Sequence, residues 1–148
     1  MASPQAAVKL SSELQVVMYD FDENATTAVA GTLIAARDLK SFMGLGMTSV
    51  LSGSGMTLLE IVVATSSTGA GIAQLVTSGT QVANAVGDYV MVECTDEMIA
   101  QEAADAGANY THVGLRVTNQ GAADENVLTY IMESKRPVRG LTATTIST

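Results

Sequence analysis

One stretch limits the fold more than any other. Met56-Thr-Leu-Leu-Glu-Ile-Val-Val-Ala-Thr65 is an apolar run with a single charge, closed by Gly55 on one side and by Ser66-Ser67-Thr68-Gly69 on the other. It is too short for a buried helix and rich in β-branched residues, so it reads as a strand covered on both faces. A strand of that kind lies in the middle of a sheet, and the rest of the chain has to supply its neighbours.

The neighbours are legible as short runs between turn residues. Residues 14–21, Leu-Gln-Val-Val-Met-Tyr-Asp-Phe, precede the turn chemistry of Asp22-Glu23-Asn24. Thr27 to Ala36 is read as a strand, although its alanines and Gly31 suit a helix nearly as well. Between Leu39 and Gly55, glycines at 44, 46, 53 and 55 recur too often for a helix, and a short strand is placed at Thr48 to Leu51. Ala70 to Ser78 and Asp88 to Thr95 add two more. His112 to Asn119 and Asn126 to Glu133 follow, joined by Gln120-Gly-Ala-Ala-Asp-Glu, a loop of hairpin length. Alternation of Leu115, Arg116 and Val117, and of Tyr130, Ile131 and Met132, marks both as half exposed.

A single helix is expected at 96–106. Thr95 or Asp96 can cap it, Asp96 and Glu97 place negative charge in its first turn, and Gly107 supplies a left-handed stop. Met98, Ile99, Ala103 and Ala106 fall on one narrow face. The whole is mainly β: a β-sandwich or jelly-roll-like domain over 13–133, with one short helix and extended terminal arms at 1–12 and 134–148.

Composition excludes several functions. Of 148 residues, 47% are apolar and 15% charged, enough for a folded core; 7 Lys+Arg against 15 Asp+Glu give a net charge of −8. No basic stripe is present, so nucleic acid is not an expected partner. One cysteine and one histidine cannot build an ordinary zinc centre, and no disulfide can close within the chain. The opening residues lack a signal-peptide pattern and no run approaches membrane-spanning length, so a soluble protein made in the cytoplasm is expected, with no membrane partner.

Catalytic patterns are incomplete throughout the chain. Cys94 with His112 as base would need the strands at 88–95 and 111–119 to be neighbours; a small apolar filler and an edge residue are the favoured readings. Asp20-Phe-Asp22-Glu-Asn24 opens like a calcium loop, but Ala25 stands where glycine is needed and Gly31 where the bidentate glutamate belongs. Gly53-Ser54-Gly55 and Gly69-Ala70-Gly71 match neither a phosphate loop nor a nucleophile elbow, and are read as turns. The sequons at Asn24 and Asn109 matter only in a secreted eukaryotic protein. Five methionines (18, 47, 56, 91 and 132) fall within expected strands, where they should fill core gaps left by the scarce aromatics. No catalytic residue, cofactor or metal is therefore expected.

From Met56 to Arg139 the framework Leu58-Leu-Glu-Ile-Val-Val-Ala-Thr65, Gly69-Ala-Gly71, Gly87-Asp-Tyr-Val-Met-Val-Glu-Cys-Thr95, Glu97-Met-Ile-Ala100, Thr111 to Asn119 and Ala123 to Ile131 resembles small structural proteins of tailed bacteriophages and prophages, of the head decoration or cement type. The resemblance implies a noncatalytic domain on the capsid surface of the virion, bridging subunits of the major capsid protein and associating with itself as a dimer or trimer. It transfers no site residue. Partner binding is instead expected from the second arm, where Lys135, Arg136 and Arg139 place positive charge on an acidic body and Leu141 and Ile146 offer apolar anchors. The competing readings are a tail or head–tail joining component, a monomeric β-sandwich ligand-binding module, disfavoured by the lack of Trp, and an enzyme built on Cys94 or the 20–24 loop.

Overall fold

The computed structural model describes residues 14–21, 29–53, 55–80, 82–121 and 123–135. Nine strands and one helix are formed among them: β1 (Leu14–Phe21), β2 (Val29–Ala30), β3 (Ile34–Ala35), β4 (Leu39–Val50), β5 (Met56–Ala64), β6 (Ala73–Thr77), β7 (Tyr89–Thr95), α1 (Asp96–Ala106), β8 (His112–Asn119) and β9 (Glu125–Ser134). All pairings are antiparallel. Sheet A runs β1-β9-β4-β7 and sheet B runs β2-β8-β5-β6, with β3 also on β8. Taking β2 and β3 as one broken strand, successive strands alternate between the sheets except at the β5–β6 hairpin, which is the double Greek-key order of a jelly roll. The mainly β expectation holds.

β5 has the central place its composition requires, between β8 and β6, and Leu59 through Ala64 are all buried. Leu59, Ile61 and Val63 enter the core between the sheets with Val113, Leu115 and Val117 of β8. Sheet A contributes Phe42, Val90, Val92, Cys94, Leu128 and Tyr130, and the Phe42 and Tyr130 rings lie 5.7 Å apart, tilted at 45°. Aromatics are few, but these two meet at the centre.

Three local expectations are corrected. β4 is twelve residues long, where only 48–51 had been read as strand, because its glycines serve packing instead of turning. Its inward row is Phe42, Gly44, Gly46, Thr48; a Cβ on Gly44 would overlap Leu115, and one on Gly46 would stand 3.0 Å from Met56 Cε. Side chains from sheet B thus fill space that β4 leaves empty. The 27–36 strand is broken in two, since residues 31–33 pass over Gly114 so closely that a Cβ there would lie 2.8 Å from Thr32 O.

The third correction concerns β8 and β9, which are no hairpin: they belong to different sheets, and the 120–124 loop crosses between them. Asp124 explains the crossing. Its carboxylate is fully buried and accepts from Ser52 N (2.7 Å), Gly53 N (2.8 Å), Gly55 N (3.0 Å) and Gly121 N (2.7 Å). Removal from water pushes its pKa up, but these backbone donors outweigh that and hold it below the ordinary carboxylate range. Next to it, Asn119 Nδ2 donates to Asp124 O, Asn126 Nδ2 donates to Asn119 Oδ1 (2.7 Å), and the Thr48 hydroxyl lies between Asn126 Oδ1 and Ala83 O. A buried polar lattice therefore ties both sheets together at this end.

The helix forms where expected. Thr95 is the cap, accepting from Met98 N, and Gly107 closes the helix at φ 62°. Of the anticipated face only Ile99 is buried; Met98 and Ala106 are exposed.

Candidate assembly surface

The two groups weighed for nucleophilic chemistry are not neighbours. Cys94 lies on β7 in sheet A with its side chain in the core, and burial pushes its thiol up to about 12. Such a thiol is not a thiolate at neutral pH. His112 begins β8 in sheet B, half buried, with Nδ1 2.8 Å from the Thr111 hydroxyl. Among the described residues, no three of His, Cys, Asp and Glu converge on a point that would hold a metal. The loop at Gly53 and Gly55 does offer backbone N–H groups as a phosphate loop would, yet Asp124 already occupies them. The Asp20–Asn24 reading falls largely outside the described residues.

The outer face of sheet A has a different character. Alternation puts Met43, Leu45 and Met47 of β4 outward, and the register sets them beside Glu93, Met91 and Tyr89 of β7 on one side and Ile131, Thr129 and Val127 of β9 on the other. Tyr89 is 62% exposed, Met91 53% and Met47 36%. Glu93 and Glu133 carry charge at its borders, and the Glu133 carboxylate accepts from Lys40 Nζ at 2.6 Å. Lys40 and the Ser41 hydroxyl together hold Glu133 below the usual carboxylate range.

Met47 and Met91 therefore depart from the core-filling role expected of the strand methionines; Met56 is fully buried, and Met132 is packed partly against the core. The reason lies in the alternation. Gly46 and Val92 take the inward positions beside them, so the thioethers are turned out. Flexible, polarizable side chains on an open β face suit contact with another protein.

The strand at the margin of this face is also open. β7 pairs with β4 and, among the described residues, with nothing on its other side. It is regular over seven residues, with a burial pattern that alternates without a bulge. Among the described residues, Glu93 and the acidic residues at its ends, Asp88, Asp96 and Glu97, are the charges that oppose pairing there.

Lys135, expected as a partner-binding cation, is engaged within the chain: its backbone N donates to Asp38 O at 2.7 Å and its ammonium pairs with Asp96. That ammonium holds the Asp96 carboxyl below its usual range. β9 runs one residue past the boundary anticipated at 133, and Ser134 is paired with Leu39. Arg136, Arg139, Leu141 and Ile146 lie outside the described residues, as does the arm at 1–12. A groove of about 510 Å³ opens beside Lys135, between Ala36–Leu39, Tyr110 and the Ile99–Ala103 side of α1. No described helix is long and apolar enough to cross a membrane.

Sequence reasoning missed the sheet A face because it read methionine as filler. The signal was present in the order Tyr89-Val-Met91-Val-Glu93, where large apolar residues share a side with a charge.

No family model matches the chain, and no curated protein matches it. Solved structures similar to it include a chain from Bacillus endospore appendages, described as a novel family of disulfide-linked pili, with a TM-score of 0.41 and 15% identity over 82% of this chain and 86% of that one. Another is the SPBc2 prophage-derived protein YomS, with a TM-score of 0.39 and 12% identity over 81% of this chain and 95% of the other.

Proposed function

We propose that this chain is a noncatalytic structural subunit of a phage virion, made in the host cytoplasm and placed on the capsid surface, where it decorates the head and bridges subunits of the major capsid protein. The observation that carries the reading is the outer face of sheet A: a row of exposed Met47, Tyr89 and Met91 that ends at a strand edge with no partner among the described residues. An isolated soluble domain has no use for such a face, and leaving it open invites aggregation. The resemblance of residues 56–139 to decoration proteins supports the choice of the major capsid protein as partner. Acidic net charge is consistent with a protein that stays dispersed until it meets that partner.

The test is electron microscopy of shells assembled without the protein and then incubated with it. Regularly spaced added density on the head, at a fixed position relative to each capsid subunit, is the expected result. Density confined to the tail or the head–tail joint would move the protein to that role, and no density anywhere on the particle would overturn the reading.

A further inference from the structure

Apolar exposure does not stop at the border of the sheet A face. Val50 and Leu51 at the end of β4, and Val82 and Val86 in the connection to β7, are all exposed. Val86, at 65%, is the most exposed large apolar residue among those described. The fold gathers them at one end of the sheet. Thr48, the residue after Met47, donates its N–H to Asp88 O at 3.0 Å, accepts from Gly87 N at 2.9 Å, and places its hydroxyl 3.0 Å from Ala83 O. Val82 and Val86, each one residue before these contacts, are thereby fixed near the strand end from which Val50 and Leu51 leave. Single apolar side chains in water are ordinary, but four brought to the margin of an apolar face are not.

Val86 is held on a rigid turn. Asp88 N donates to Ala85 O at 3.0 Å, Gly87 stands at φ 88° and Val86 at negative φ, which is type II geometry. The Asp88 carboxylate closes the turn from its other side, accepting from Ala85 N at 3.1 Å. Proline, glycine or a polar residue is usual at such a tip. A β-branched aliphatic there, on a backbone fixed to β4, loses little freedom on burial and is preorganised as an anchor.

Area argues for one partner over both surfaces. A stable interface buries ~800 Å² on each side, of which ~57% is apolar, so ~450 Å² of apolar surface is needed. The seven apolar positions of the sheet A face, spaced ~6.7 Å along and ~4.8 Å across, cover ~220 Å². An aliphatic side chain offers ~100 Å², and the four at the end, exposed by 38% to 65%, add ~200 Å². Together they come close to the requirement, and neither does so alone. Charge argues against a second copy as that partner. Asp88 and Glu93 are exposed on this surface, while the described cations Arg37, Lys40 and Lys135 lie at the far end of β4 and Arg116 lies on sheet B. Two copies meeting here would set acid against acid.

We propose that Val86 is the anchor of the capsid contact, entering an apolar pocket of the major capsid protein, so that the bound surface runs from the sheet A face over the end of β4. The inference rests on the capsid reading above and deepens it.

The experiment mixes the full chain with shells lacking it and measures co-sedimentation. Val86→Asp should match the parent in circular dichroism and thermal midpoint and lose attachment by at least ~10-fold, whereas Val86→Ile should attach nearly as the parent does. If the midpoint of Val86→Asp falls, Val86→Ser carries the same test. A photo-crosslinking residue in place of the exposed Ala85 should join the chain to the major capsid protein. Attachment of a folded Val86→Asp or Val86→Ser protein equal to that of the parent overturns the inference and leaves the capsid reading standing. A crosslink to a second copy of this chain, or none from attached protein, does the same. Failure of the parent chain to attach ends both, and is seen before any variant is made.

Discussion

Leu115 of sheet B occupies the space that a side chain on Gly44 of sheet A would fill. Gly44 is flanked in register by Tyr130 on β9 and Val92 on β7, so a small position sits between two larger ones and receives a leucine from the opposite layer. This interlock sets the separation of the sheets, and it converts a residue that weakens a strand into one that the fold requires.

Replacement of Gly44 by Ala should therefore destabilise the protein by about 2 kcal/mol through overpacking, although alanine is the better strand former. Adding Leu115→Val should restore part of the loss. Denaturant unfolding of the two single variants and the double gives the coupling directly, and additive effects would mean that the two residues do not share one space.

Asp124 should set the acid limit of stability. Its folded-state pKa lies below the ordinary 3.8, so the unfolded chain binds the proton more readily; the contribution is complete above pH 3.8 and is lost as pH falls through the lower folded value. Asp124→Asn removes the charge and turns an amide toward backbone donors, with an expected cost of about 3 kcal/mol near neutrality. Thermal midpoints against pH, taken in high salt to screen the exposed Lys40–Glu133 and Lys135–Asp96 pairs, should show a shallower acid decline for the variant. Parallel curves would contradict this.

Glu60 and Arg116 face each other across β5 and β8 and form a two-point pair, Nε to Oε2 at 2.6 Å and Nη2 to Oε1 at 3.0 Å, with Glu60 almost entirely buried. The Glu60 carboxylate raises the Arg116 pKa, partly countered by burial. Arg116→Met should cost about 3 kcal/mol because it strands a buried carboxylate, and Glu60→Leu in the same chain should recover most of it. Chemical unfolding of the three variants checks both signs.

The thiol of Cys94 should be inert in the native state. A disulfide-exchange reagent is expected to react at the rate of unfolding, and to react at once in denaturant. Cys94→Ser with His112→Gln should attach to capsids as the parent does. Rapid native labelling, or loss of attachment with the fold intact, would reopen a site at these residues.

Elements with local causes were legible in the sequence. β1, β5, β8 and α1 appear at or within a residue of their expected bounds, since alternation, a closed apolar run and paired caps are local signals. What was not legible depends on the opposite layer. The length of β4 rests on Leu115 and Met56 filling above its glycines, and the crossing from β8 to β9 rests on Asp124 reaching the loop at 52–55. The open face of sheet A was hidden for a related reason: whether Met47 and Met91 point in or out follows from register, which no single strand reveals. Of the residues first assigned to partner binding, Lys135 turned out to anchor the chain to Asp96.

Binding of the capsid by the outer face of sheet A is tested most simply by co-sedimentation of Tyr89→Ser/Met91→Ser protein with shells lacking it. Both side chains are exposed, so circular dichroism and the thermal midpoint should match the parent, while attachment falls by at least ~10-fold, the scale of losing an aromatic anchor from an interface. Attachment equal to that of the parent, with the fold unchanged, would contradict the account.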